Sequence, residues 1–186
     1  PQQEQSVRPT PHERCCDYRS GWLVVPEQAQ RENRRLARLL KRAKLKAPAA
    51  CGEDVGFASS RGLDKRQVLD LLTCHWIERC QHLLITGLTG VGKTWLACAL
   101  GTEAARKGFS VTYKRLPRLL EELEIAHADG SLPELRSQLA RAKLPILDGW
   151  GVAPIGDRGR QALLEVIAGR VRGSLGLCTV QVEAEK

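Results

Sequence analysis

Residues 87–94 read Gly87-Leu88-Thr89-Gly90-Val91-Gly92-Lys93-Thr94, the spacing G-x-x-x-x-G-K-[ST]. This feature constrains the fold more than any other, because the pattern works only between a strand and a helix. Both neighbours are present. Residues 82–86 (His-Leu-Leu-Ile-Thr) form a short, mostly apolar run that predicts a buried strand. Residues 94–107 (TWLACALGTEAARK) predict a helix with Gly108 as its stop. The glycines let backbone N–H groups turn inward with no Cβ in the way. The helix start adds partial positive charge. Lys93 is then expected to reach the β- and γ-phosphates of a nucleotide, with the Thr94 hydroxyl on Mg²⁺. Residues Gly87 to Thr94, with Trp95, are the expected cofactor-binding set, and Lys93 the catalytic cation. The bland alternative is a glycine-rich turn without a ligand. It leaves Lys93 and Thr94 without a reason.

A chain of 186 residues holds one domain with a real core, plus a tail. Its formal charge is +8, and most of the excess precedes residue 50. An acidic partner is expected, nucleic acid first, against the plainer reading of a solvated basic face. The seven cysteines are odd in number and contain no C-x-x-C, which argues against a disulfide scaffold and for the cytoplasm. His12 with Cys15 and Cys16 lacks a partner pair at zinc-ligand spacing. No run approaches the roughly 20 apolar residues of a membrane span. The chain starts with Pro1 and contains no methionine, so a fragment or an unusually read frame is expected.

Residues 1–30 show no period and are read as a poorly ordered tail. Residues 31–47 predict a basic amphipathic helix. Leu36, Leu39, Leu40 and Ala43 fall at i, i+3, i+4 and i+7, and Arg34, Arg35, Arg38, Lys41, Arg42 and Lys44 fill most other positions. Such a helix suits packing on a domain while offering cations to phosphates, against the plainer reading of a surface helix with a basic face. Residues 48–62 are read as a linker, and 63–186 as the nucleotide-binding domain. Within it, helices are predicted at 63–80, 94–107, 116–127, 132–143 and 158–171, and strands at 82–86, 110–114, 144–148 and 176–182. Strands alternating with helices imply an α/β fold, a mostly parallel sheet covered on both faces.

A phosphate loop needs a partner for its metal, supplied by an Asp at the end of a neighbouring strand. Asp148 ends an apolar run and is assigned that role beside Thr94. Many ATPases carry a second acid directly after it to orient the attacking water. Here that residue is Gly149, so hydrolysis stays open while binding is expected; Asp157 and Glu165 are acids nearby along the chain.

The segments RENRRLARLLKRAKLK, RGLDKRQVLDLLTCHWIERCQHLLITGLTGVGKTWLACALG, RLPRLLEELEIAHADG and LPILDGWGVAPI together resemble an IstB-like ATP-binding protein. That family consists of helper ATPases of insertion-sequence transposition, in the DnaA/DnaC branch of AAA+ P-loop NTPases. The likeness covers residues 31–180. It implies an AAA+ three-layer sandwich with its C-terminal part missing, binding ATP with Mg²⁺ and duplex DNA, forming homo-oligomers and assisting a transposase. Gly87 to Thr94 match the Walker A loop, Asp148 the Walker B metal acid, and Arg31, Arg34, Arg35, Arg38, Lys41 and Arg42 a basic N-terminal segment, which makes those six cations the candidate DNA contacts that the resemblance implies. The departures are Gly149 for a second acid, Leu88 for a proline, Val180 for a polar sensor, and the stop at Lys186. With the final strand of the family absent, residues 83–86 are expected to form an apolar edge. Two other readings stay open: a non-catalytic DNA- or partner-binding remnant, and a small P-loop kinase. The kinase reading needs an arginine-rich lid, for which the chain offers only Arg115 and Arg118.

Overall fold

The computed structural model describes residues 18–57, 63–151, 155–168 and 177–180. The chain divides into two units, residues 1–35 and 36–186. Helix α1 (Tyr18–Ala43) runs through the boundary. It starts well before residue 31, so residues 18–30 are helical where the sequence suggested an aperiodic tail. Its last turn carries Lys41 and Arg42, cations placed where the helix dipole favours them.

The second unit holds the expected α/β fold. Its four strands are β1 (Leu83–Ile85), β2 (Val111–Arg115), β3 (Leu144–Trp150) and β4 (Leu177–Val180). They pair in parallel in the order β1-β4-β3-β2. The helices are α2 (Lys65–Leu72), α3 (His75–Glu78), α4 (Lys93–Arg106), α5 (Leu116–Asp129), α6 (Leu132–Ala140) and α7 (Asp157–Ala168). Among the described strands β1 is an edge, and Leu84 on it is 59% exposed. No helix among the described residues is long and apolar enough to cross a membrane.

The alternation of β3 sorts the layers. Leu144 and Ile146 join Ala97, Cys98, Ala99, Ala104 and Ala105 of α4 in one cluster. Leu147 points the other way, into a cluster with Leu116, Leu119 and Leu123 of α5, Leu139 of α6 and Leu163 of α7. The α4 side packs close because Gly101 faces the sheet. A Cβ there would lie 2.8 Å from Ile146 Cδ1 and 3.2 Å from Leu45 Cδ2. Among the described residues pairing of β3 with β4 starts at Ile146, so Pro145 withdraws no N–H from a described pair with β4.

The helix expected over 63–80 is broken in two. Asp64 caps its start by accepting from the Arg66 N–H at 2.9 Å. At Thr73 the hydroxyl donates to Asp70 O at 2.6 Å, and the Trp76 indole N–H takes Leu71 O at 2.8 Å. Cys74 then turns through φ 61° before α3 starts. Side chains thus occupy the carbonyls that a continuous helix would use. Residues 48–62, expected as linker, include a 3₁₀ turn at Gly52–Asp54. The end of the helix expected to reach 171 lies outside the described residues, as do Gln181, His12, Cys15 and Cys16.

Candidate functional site

The loop between β1 and α4 bends as its sequence demands. Gly87, Gly90 and Gly92 hold φ 151°, 88° and 96°, a region L side chains rarely enter. Gly92 is the N-cap residue, so α4 begins at Lys93, one residue earlier than expected. The Lys93 side chain is buried, and its Nζ donates to Gly87 O at 2.9 Å and Leu88 O at 2.6 Å. The ammonium therefore lies folded against the loop it belongs to.

The structure brings Thr94 and Asp148 together across 54 residues of chain. Thr94 Oγ1 donates to Asp148 Oδ1 at 2.9 Å, and Asp148 is only 3% exposed. Asp148 shares the α4 face with Leu144 and Ile146 by strand alternation. Its second oxygen, Oδ2, accepts from the Tyr113 hydroxyl at 2.5 Å. Burial, and then that bond to a carboxylate, push the Tyr113 phenol well above its ordinary pKa, so it stays a donor.

The next residue explains part of the strand's shape. From Leu147 to Trp150 β3 advances three residues while β4 advances two, from Cys178 to Val180. That is a β-bulge, and Gly149 within it has φ 83°. The extra residue changes the phase of the pleat, so Trp150 packs in the same cluster as Leu147. The position that lacks the second acid is thus a buried turn of the backbone. Glu165 and Asp157 are held elsewhere. Glu165 is ion-paired with Arg136 of α6, and Asp157 lies 3.6 Å from Arg160.

A hard divalent cation fits the donors present. Thr94 and Asp148 offer oxygen only, as Mg²⁺ prefers, and a bound nucleotide would add phosphate oxygens. Among the described residues no cluster of three or more His, Cys, Asp and Glu forms a self-contained metal site.

Two cavities flank the loop. One, of about 640 Å³, lies between the 3₁₀ segment and the loop, lined by Val55, Leu63, Ile85, Leu88, Trp95 and Leu96 among others. Leu63 and Leu88 are exposed apolar side chains at its border. Such a wall beside a phosphate cradle suits a flat base. The other, of about 390 Å³, is lined by Lys46, Ala47, Gly90, Gly92, Lys93, Thr94 and Trp95. Sequence reasoning missed Tyr113, Val55, Leu63 and Lys46. The signal for the first was a tyrosine two residues from the end of a strand beside the Asp strand. The cavity residues lay in segments read as linker and helix end.

Of the candidate DNA contacts, Arg31, Arg34 and Arg35 are exposed on the part of α1 within the first unit, where Arg31 pairs with Glu27 at 3.4 Å. Arg38, Lys41 and Arg42 are exposed on the part within the second. There Leu36, Leu39 and Leu40 pack against the core, as the apolar stripe predicted.

Residues 2–185 match the family model described as IstB-like ATP binding protein. The "Insertion sequence IS1162 putative ATP-binding protein" of Pseudomonas fluorescens is 46% identical over 180 residues, covering 97% of this chain and 78% of that protein. The "Putative insertion sequence ATP-binding protein y4pL" of Sinorhizobium fredii is 43% identical over 150 residues, covering 81% of this chain and 61% of that one. Among solved structures, domain III of the Thermotoga maritima replication initiation protein DnaA superposes with TM-score 0.64 at 18% identity, over 73% of this chain and 57% of that one. The DnaC helicase loader gives 0.60 at 18%, over 74% and 80%. These likenesses identify the fold as the AAA+ type of P-loop domain.

Proposed function

Because the chain belongs to the IstB-like ATP-binding protein family, we propose that it is an ATP-binding helper of DNA transposition, holding ATP with Mg²⁺ at residues 87–95 and assisting a transposase on duplex DNA. The observation that carries this reading is the bond from Thr94 to Asp148 beside a loop of three positive-φ glycines. Loop N–H groups and the start of α4 receive the phosphates. Lys93 leaves the Gly87 and Leu88 carbonyls to meet the β- and γ-phosphate charge. Thr94 and Asp148 hold Mg²⁺, which supplies positive charge to the phosphates when bound. The apolar cavity around Val55, Leu63 and Trp95 takes the adenine. The exposed cations Arg31, Arg34, Arg35, Arg38, Lys41 and Arg42 contact DNA phosphates. The protein works in the cytoplasm and acts as a homo-oligomer.

ATP titration of the chain and of Lys93→Ala tests the core of this. A charge-assisted hydrogen bond contributes about 1.5–3 kcal/mol, so the variant should bind at least about tenfold more weakly. Equal affinity refutes the assignment. For DNA, replacing Arg38, Lys41 and Arg42 by alanine should lower the salt slope of binding by about 0.9 for each phosphate that is no longer neutralised. An unchanged slope removes these residues from the role.

One observation favours a second reading, a binder without turnover. Gly149 offers no acid, and Glu165 is engaged by Arg136. Phosphate release measured with and without duplex DNA separates the two: release under either condition excludes the second.

A further inference from the structure

Strand β2 contributes to the metal half of the site, which neither the loop motif nor the Asp148 motif reveals. In the β2–β3 register Tyr113 lies opposite Ile146, and Arg115 opposite Asp148. Tyr113 and Asp148 therefore share one face of the sheet, one diagonal step apart. Both are buried, and the Tyr113 hydroxyl donates to Asp148 Oδ2 at 2.5 Å while Thr94 donates to Oδ1 at 2.9 Å.

We propose that Tyr113 is a positioning residue for the divalent cation, acting through Asp148 on Thr94. This rests on the ATP–Mg²⁺ reading above. An ionised carboxylate only accepts hydrogen bonds, and its terminal torsion is broad. A donor on each oxygen favours one orientation of that plane. With Oδ2 held by Tyr113, Oδ1 stays turned toward Thr94 and takes the single hydroxyl proton of that residue. The lone pairs of Thr94 Oγ1 are thereby left for a cation rather than for a donor. The tyrosine touches neither nucleotide nor metal; it sets the direction in which Thr94 presents oxygen.

The experiment is equilibrium binding of a fluorescent ATP analogue to the full 186-residue chain, in EDTA and across a Mg²⁺ titration. It compares wild type, Tyr113→Phe, Thr94→Val, the double variant and Lys93→Ala, with a thermal melt of each. Tyr113→Phe keeps the ring and removes only the donor. Loss of an outer partner of a metal site costs about 10–100-fold in metal affinity, so its half-saturating Mg²⁺ should rise at least about tenfold, with binding in EDTA unchanged. Thr94→Val should raise the Mg²⁺ requirement as well. The double variant should be no worse than Thr94→Val, because both changes break one chain of bonds. Tyr113→Phe with a wild-type Mg²⁺ requirement overturns the inference. So does an equal loss of affinity with and without Mg²⁺, which marks a packing role. Additive effects in the double variant also overturn it. Should Tyr113→Phe not fold, Tyr113→Leu, which also lacks the donor, takes its place: a raised Mg²⁺ requirement with binding in EDTA unchanged sustains the inference, and a wild-type requirement overturns it. If Lys93→Ala binds like wild type, or wild type ignores Mg²⁺, the nucleotide reading itself falls, and the inference with it.

Discussion

Replacing Gly149 tests whether the backbone, rather than a side chain, decides which residue stands where the second acid is missing. Its φ of 83° lies inside a bulge of a buried strand. A side chain there crowds the following carbonyl and costs about 1–2 kcal/mol. Against this, any Cβ narrows the unfolded ensemble and offsets about 0.4–1 kcal/mol. The net loss for Gly149→Ala is thus about 1 kcal/mol. A domain of about 150 residues unfolds with an entropy near 0.3 kcal/mol/K, so its melting point should fall by about 3 °C. Gly149→Asn should lose less, because a short polar side chain bonds locally in this region. Gly149→Asp shares that backbone cost and adds a second carboxylate next in sequence to the buried Asp148. Like charges close together disfavour ionisation of both. The expected order of melting points is wild type, Asn, Ala, with Asp below Asn. Calorimetry without nucleotide measures it. An Ala variant that melts at or above wild type refutes the claim that this position requires a left-handed backbone. The same series bears on turnover, since any ATPase gain in Gly149→Asp must exceed what Gly149→Asn shows.

Other expectations follow from particular contacts. Gly101→Ala gains helix propensity of about 1 kcal/mol, but overpacking against Ile146 and Leu45 costs about 1–3 kcal/mol. Chemical denaturation should therefore show a net loss, and a rise in stability would show that the sheet side yields. Lys46→Ala should weaken ATP binding several-fold, with the difference shrinking in high salt, because Lys46 lines the cavity beside Gly90 and Thr94; salt-independent affinity equal to wild type would remove Lys46 from the site. The Cys51 thiol is pushed up to about 11, first by its bond to the Asp54 carboxylate, 2.7 Å away. The thiolate is the reactive form, so Cys51 alkylation should stay slow at pH 8 and climb toward pH 11. Asp54→Asn should move that rise to lower pH. A pH profile identical in the two proteins, read by mass spectrometry, counts against the bond.

Much of this architecture was legible because its signals are local. The loop glycines, the Lys93-Thr94 pair and the apolar run ending at Asp148 each occupy a few consecutive residues. The family resemblance stated from those segments is matched over residues 2–185. The stripe of Leu36, Leu39 and Leu40 likewise appears directly as helix period. What escaped depends on partners distant in sequence or on competition for single carbonyls. The Tyr113 hydroxyl meets an oxygen 35 residues away, a contact that follows only once the register of β2 against β3 is known. The break at Thr73 required knowing that two side chains would capture adjacent carbonyls. Gly149 read as a lost side chain, whereas its backbone angle is visible only once β4 sets the register.

The order of the strands has a consequence for how this site comes into being. β4 lies between the strand that ends in the loop and the strand that carries Asp148. Adjacent strands stand about 4.8 Å apart, so β1 and β3 face each other across a gap of about 10 Å that only β4 fills. Both signature motifs are complete in the growing polypeptide by residue 148, yet the spacer that sets their separation is residues 177–180. Such non-local pairing is slow, because loop closure precedes its reward. The Thr94–Asp148 bond therefore depends on β4 lying between the two strands, and that bond reports that the central strand is in place.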